Sequence, residues 1–161
     1  MPRTGRSWPS AAAARIAGVK PQTLSYWVRS GLFSPSGLAG SGKGRRYKFT
    51  FRDLVALKAV AELRAQGISL QRLRRVRAAL NKSGRVLERS TLVLIGDAVH
   101  LVEDAETLSD VLSGQFVSAT VFAVAPVYHE VRTATEAEAQ HQADVKQQRS
   151  VSAFKRHARA G

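Results

Sequence analysis

Between Pro9 and Gly31 the chain is punctuated so closely that only two short helices fit there. Ser10 can cap a helix over Ala11–Ala17, which Gly18 ends. After Val19 and Lys20, Pro21 suits the first turn of a second helix, where its missing N–H is not needed. Leu24, Trp27 and Val28 stand at i, i+3 and i+4 and give that helix one apolar face. Gln22, Thr23, Ser25, Tyr26 and Arg29 take up the others, and Gly31 closes it. Trp27 reads as a core residue because it shares a face with Leu24. Tyr26 is open between packing and an outward contact. Two short helices joined by a glycine-containing turn predict a helix-turn-helix.

The next stretch, Ser34–Phe49, is rich in Gly and Ser and then turns basic and alternating. That pattern predicts a β-hairpin, a wing, whose return strand carries Arg45, Arg46 and Lys48. Thr50 with Asp53 three residues on has the logic of a capping box for a third helix, running toward Gly67. Ser69 caps a fourth, with Leu70, Leu73, Val76 and Leu80 as its apolar stripe; of Arg72, Arg74, Arg75 and Arg77 on the rest of its surface, most read as a solvated face and one or two as DNA contacts.

The order of these landmarks resembles the DNA-binding domain of the MerR family of winged helix-turn-helix regulators. The resemblance rests on Ala14-Arg15-Ile16-Ala17-Gly18-Val19 and on Thr23-Leu24-Ser25-Tyr26-Trp27-Val28-Arg29-Ser30-Gly31-Leu32. Arg46-Tyr47, Asp53-Leu54 and the run Leu63–Leu70 continue it, so that it covers roughly residues 10–80. It implies that the second helix lies in the major groove, with Gln22, Thr23, Ser25 and Tyr26 near bases or phosphates. It implies a backbone-contacting role for Arg46 and Tyr47. The family commonly has Arg where this chain has Ser25, and Arg29 or Lys20 is expected to replace that contact. Arg15, Lys43, Arg45 and Lys48 complete the candidate DNA-binding set. Independently of any family, a groove-reading helix needs short polar or forked side chains at base edges. It also needs flanking Arg, Lys and Tyr to hold register on phosphates.

The charge agrees with that division. The net charge of +13 hides +16 in residues 1–90, −8 in residues 91–145 and +5 in residues 146–161. Such asymmetry is a boundary signal and an argument about partners: double-stranded DNA for the first part, protein for the second. The boundaries drawn are 8–83 for the DNA-binding domain, 90–133 for a small dimerisation module and 134–161 for a basic tail. The whole is α+β. In the acidic module Thr91–Ile95 and Ala98–Val102 are expected strands around Gly96-Asp97, a type II′ hairpin. Glu103–Ala105 reads as a loop, Thr107–Leu112 as a short helix and Phe116–Val124 as a third strand. Pro126 opens a turn or helix in which Val127 and Val131 share a face. The tail reads as a frayed helix, a disordered arm or a segment that folds on a partner.

Known sensing members of the resembled family continue into a long dimerising helix, but Gly84 interrupts here and no heptad run of that length is expected. The acidic module is therefore expected to supply the homodimer contact, by strand pairing or apolar packing, to match a palindromic operator. Cutting the chain at residue 90 is then expected to leave a weakly binding monomer. Similar winged modules occur in some antitoxins, so a toxin-binding, autoregulating protein is the alternative.

Several classes are excluded. The absence of cysteine removes disulfides, thiol nucleophiles and thiolate metal sites. His100, His129, His141 and His157 show no metal-ligand spacing. Asp97, Glu103, Asp104 and Glu106 lack the regular oxygen spacing of a calcium loop. Lys43 in the glycine-rich stretch is followed by Gly44, so no phosphate loop is present. No enzyme, cofactor or metal is expected. With no apolar run of membrane length and no secretory leader pattern, the expected location is cytoplasmic, at the nucleoid.

Overall fold

The computed structural model describes residues 5–39, 46–82, 86–113 and 118–160. Among them are six helices and two three-stranded antiparallel sheets, an α+β arrangement. No helix among the described residues is long and apolar enough to cross a membrane.

The first sheet has the order β1 (Ser7–Pro9), β3 (Arg46–Thr50), β2 (Gly37–Ala39). Its first strand was not expected. Three residues are too few to show alternation, and the strand is defined by its register, Trp8 opposite Phe49. β2 pairs on the other side, Gly37 opposite Lys48. A Cβ on Gly37 would stand 2.9 Å from the Cβ of Lys48, so that pairing requires glycine.

Helices α1 (Ser10–Ala17) and α2 (Pro21–Arg29) follow the predicted punctuation with one correction. Pro9, not Ser10, is the N-cap of α1; it is fixed in extended geometry by strand β1, and no side chain caps the helix. Gly18 closes α1 in the left-handed conformation at φ 70°, its N–H donating to the α1 carbonyls. Thr50 and Asp53 make the reciprocal capping box of α3 (Phe51–Ala65). That helix is buried on nearly every side because α1, α4 (Leu70–Lys82), β3 and the last helix all pack around it. Leu73, Val76 and Leu80 of α4 are fully buried, as their spacing predicts. Arg52 Nε donates to the Leu80 carbonyl at 2.8 Å, closing the end of α4.

A 3₁₀ turn at Leu87–Arg89 leads into the second sheet, ordered β5 (Ala98–Val102), β4 (Thr91–Ile95), β6 (Ala119–Ala123). Gly96 has φ 53° and Asp97 has no positive φ, as a type II′ turn requires. Two expectations shift here. Asp104 caps α5 (Ala105–Leu112) by accepting the Thr107 N–H at 2.7 Å, so the helix starts two residues before the expected Thr107 and takes Ala105 from the expected loop. The third strand ends at Ala123 instead of Val124, because Val124 opens α6.

α6 (Val124–Arg159) is 36 residues long, a single helix that joins the expected turn or helix at Pro126 to the tail. Pro126 falls in the first turn, where no backbone N–H is needed, so it does not interrupt. The Ala, Glu, Gln, Lys and Arg that follow are good helix formers. Among the alternatives left open for the tail, the structure takes the helix. Val124, Val127, Val131 and Thr135 form its buried stripe. The three valines join one cluster with Trp8, Leu24, Phe49, Leu57 and Leu92, so a continuous core runs through the basic and acidic parts alike.

Candidate nucleic-acid interface

α2 is held by burial of Leu24 and Trp27 and turns its polar side outward. Lys20, Gln22, Ser25, Tyr26 and Arg29 are exposed, and Thr23 is half-buried. Tyr26 keeps 54% of its surface, which settles its open reading in favour of an outward side chain. Trp27 at 5% is core.

Strand β3 alternates, so Phe49 and Tyr47 point to one side while Arg46 and Lys48 point to the other. Phe49 goes into the core and stacks on Phe33, with centroids 6.1 Å apart. Tyr47, two residues back on the same side, reaches α2. With Ser10, Leu24, Ser25, Val28 and Arg29 it lines a groove of about 400 Å³. The structure thus brings Ser25, Arg29 and Tyr47 together, which no sequence spacing could show, and adds Ser10 to them. Arg46 is exposed on the opposite side of the strand, and Lys48 is half-buried in the middle of the sheet. Lys43 and Arg45 lie outside the described residues.

The hairpin is anchored by a carboxylate that sequence reasoning assigned only to capping. Asp53, 1% exposed, accepts Ser36 N–H at 3.0 Å, Ser36 O–H at 2.7 Å and Thr50 N–H at 2.9 Å. One buried side chain therefore fixes both the start of α3 and the residue that leads into β2.

Arg15 is placed differently from the other candidates. Its guanidinium hydrogen-bonds Glu138 of α6 at 2.7 Å. Arg15 is thus engaged across 123 residues of sequence, and no local pattern announces that partner. The hydrogen bond from Arg15 holds the Glu138 carboxyl below the ordinary glutamate value of 4.5, and burial opposes it only in part. A carboxylate lowered on folding stabilises the native state above its unfolded value, and the contribution disappears as pH falls through the folded value. Glu138→Gln should lower stability at pH 7 by less than about 1 kcal/mol, since Arg15 is largely exposed. The gap between urea melts of the two proteins should narrow steadily as pH is lowered from 7 into the acid range; a gap that does not change with pH refutes the assignment.

Two of the α4 arginines join other elements instead of lying on a solvated face. Arg74 donates to the Ser30 carbonyl at the end of α2, 3.5 Å away. Arg75 hydrogen-bonds the Asp97 carbonyl and approaches its carboxylate at 3.4 Å, joining α4 to the β4–β5 turn.

Comparison with known proteins points to the same half of the chain. The family described as MerR HTH family regulatory protein matches residues 9–80. An uncharacterized HTH-type transcriptional regulator of Mycobacterium tuberculosis H37Rv is 35% identical over 104 residues, 64% of this chain and 46% of the relative. A regulator of the same description from Mycobacterium bovis matches equally. A Streptomyces coelicolor protein named for heat shock protein HspR is 42% identical over 65 residues, 40% of each chain. The chain therefore spans less than half the length of the curated relatives it matches.

Proposed function

Taking as premise that residues 9–80 are a domain of the MerR HTH family, we propose that the chain is a non-enzymatic transcriptional regulator that binds double-stranded DNA as a homodimer on a palindromic site. Residues 8–83 read the DNA, with α2 in the major groove and β2–β3 as the wing. Residues 90–133 and the helix that continues from them face protein. The observation that carries this reading is the assembly of Ser25, Arg29 and Tyr47 around one groove beside the exposed Gln22 and Tyr26. Small polar groups and an arginine held together on a +16 half of the chain suit phosphate contacts on both sides of a base-reading helix. The comparisons give a toxin-neutralising reading no support.

Footprinting on DNA upstream of the chain's own gene is expected to protect a two-fold symmetric site. Affinity should fall by about 10³ or more between roughly 50 and 200 mM salt. Arg29→Ala and Arg46→Ala should each weaken binding to all sequences and reduce the salt slope by about 1, while Gln22→Ala should change the preferred sequence. Binding that is absent, or indifferent to salt, refutes the reading.

A further inference from the structure

The last four turns of α6 are basic and amphipathic, and among the described residues nothing in the same protomer covers them. From residue 146 to 160 every residue is exposed. The segment carries Lys146, Arg149, Lys155, Arg156 and Arg159 and no acid. Val151, Phe154 and Ala158, spaced three and four apart, share one face. Phe154 keeps 76% of its surface and Val151 49%.

The complementary surface lies elsewhere on the chain. Residues 91–113 hold Asp97, Glu103, Asp104, Glu106 and Asp110 and no Lys or Arg. Helix α5 within them buries none of its residues fully. Ala105, Leu108, Ser109, Leu112 and Ser113 line a shallow groove of about 480 Å³ on it, and Glu106 and Asp110 are exposed on the same helix.

We propose that the C-terminal end of α6 docks in the α5 groove of a second copy of this chain, with Phe154 and Val151 against Leu108 and Leu112 and Lys155 and Arg156 facing Glu106 and Asp110. Charge complementarity selects the occupant: five cations without an acid meet an acidic segment without a cation. Helix geometry requires the contact to be between copies. α5 packs on β4 and β5, close to where α6 begins at Val124. At 1.5 Å per residue an unbroken helix carries Arg159 about 50 Å from that point. Exchanged reciprocally, the two contacts make a two-fold dimer. The inference rests on the dimeric reading above and names its surfaces.

The full-length chain tests it by light scattering, using substitutions at exposed positions only. Phe154→Asp, the pair Lys155→Glu/Arg156→Glu and the pair Glu106→Lys/Asp110→Lys should each weaken dimerisation by at least about tenfold. The two pairs combined in one chain should restore it. Because the chain has no cysteine, Ser109→Cys with Ser152→Cys should give a covalent dimer under oxidising conditions, and neither substitution alone should do so. A dimer insensitive to all these changes overturns this contact and leaves the dimeric regulator standing. A wild-type chain that is monomeric both free and on its DNA site overturns both. Loss of nonspecific DNA affinity in Lys155→Glu/Arg156→Glu with unchanged dimer mass assigns the basic end to DNA and overturns the contact.

Discussion

Removing residues 124–161 is expected to unfold the helix-turn-helix half, and not to release it as an independent DNA-binding piece. α6 packs on α1 and α3, the central elements of that half. Val124, Val127 and Val131 are each at most 1% exposed, and Tyr128 meets Phe51 edge-on at 5.2 Å. Lys58 of α3 pairs with Glu130 at 3.1 Å, and the Val124 N–H donates to the Ser90 carbonyl at 2.9 Å. A fully buried valine contributes about 1.5–3 kcal/mol. Three of them match the lower part of the whole stability of a domain, about 5–15 kcal/mol. The cut chain should lose its cooperative thermal transition and bind a hydrophobic dye. Within the intact chain, Val131→Asp places a charge in a site that offers no water. It should cost about 3–5 kcal/mol and lower Tm by about 10 °C. Removing only residues 146–161 should leave the monomer's own melt unchanged. A 1–123 fragment that melts cooperatively at the full-length temperature disproves this account. The same reasoning replaces the expectation that a chain cut at residue 90 is merely a weak monomer.

Asp53→Ala should be nearly as severe and should also impair DNA binding, although Asp53 has no surface with which to touch DNA. The substitution takes away the acceptor of Ser36 N–H, Ser36 O–H and Thr50 N–H, all part-buried, and each lost hydrogen bond costs about 1 kcal/mol. It also undoes the capping box, for about 1 kcal/mol more. The sum predicts a loss of about 3–5 kcal/mol in urea melts. With Ser36 released, the entry to β2 is no longer fixed to α3, and Tyr47 is no longer held over Ser25 and Arg29. DNA affinity measured where the variant is still folded should fall by about tenfold or more. Val55→Ala provides the comparison: it opens a cavity in the same helix at a cost of similar order but leaves the Asp53 hydrogen bonds intact. Equal DNA affinity in the two variants would mean that Asp53 acts through stability alone.

These two predictions mark what the sequence could and could not convey. Capping at Thr50 and Asp53, the glycine turn between α1 and α2, the buried pair Leu24 and Trp27, and the tight turn at Gly96 are set by residues a few positions apart. Such signals are local and were read correctly. The second role of Asp53 depends on Ser36, 17 residues away, and the partner of Arg15 lies 123 residues away. Neither leaves a periodic trace. β1 exists only because β3 pairs with it. Pro126 announces the start of a turn or helix, but no local signal joins that start to the Ala-, Glu- and Gln-rich tail as one helix from Val124 to Arg159. The charge changes sign near residue 90. The core ignores it, because hydrophobic burial follows apolar faces and takes no account of the sign of the exposed side chains.

The length of α6 has a consequence for how the molecule moves through solvent. From Glu138, its last ion-paired contact with the body among the described residues, to Arg159 the helix extends about 32 Å, more than the radius of gyration of a compact chain this size, about 15 Å. A rod of that length attached to a small body adds friction out of proportion to its mass. A monomer should sediment slowly and elute early, imitating a heavier sphere. A dimer that packs both rods against its bodies should be hydrodynamically more compact for its mass than the monomer from which it forms.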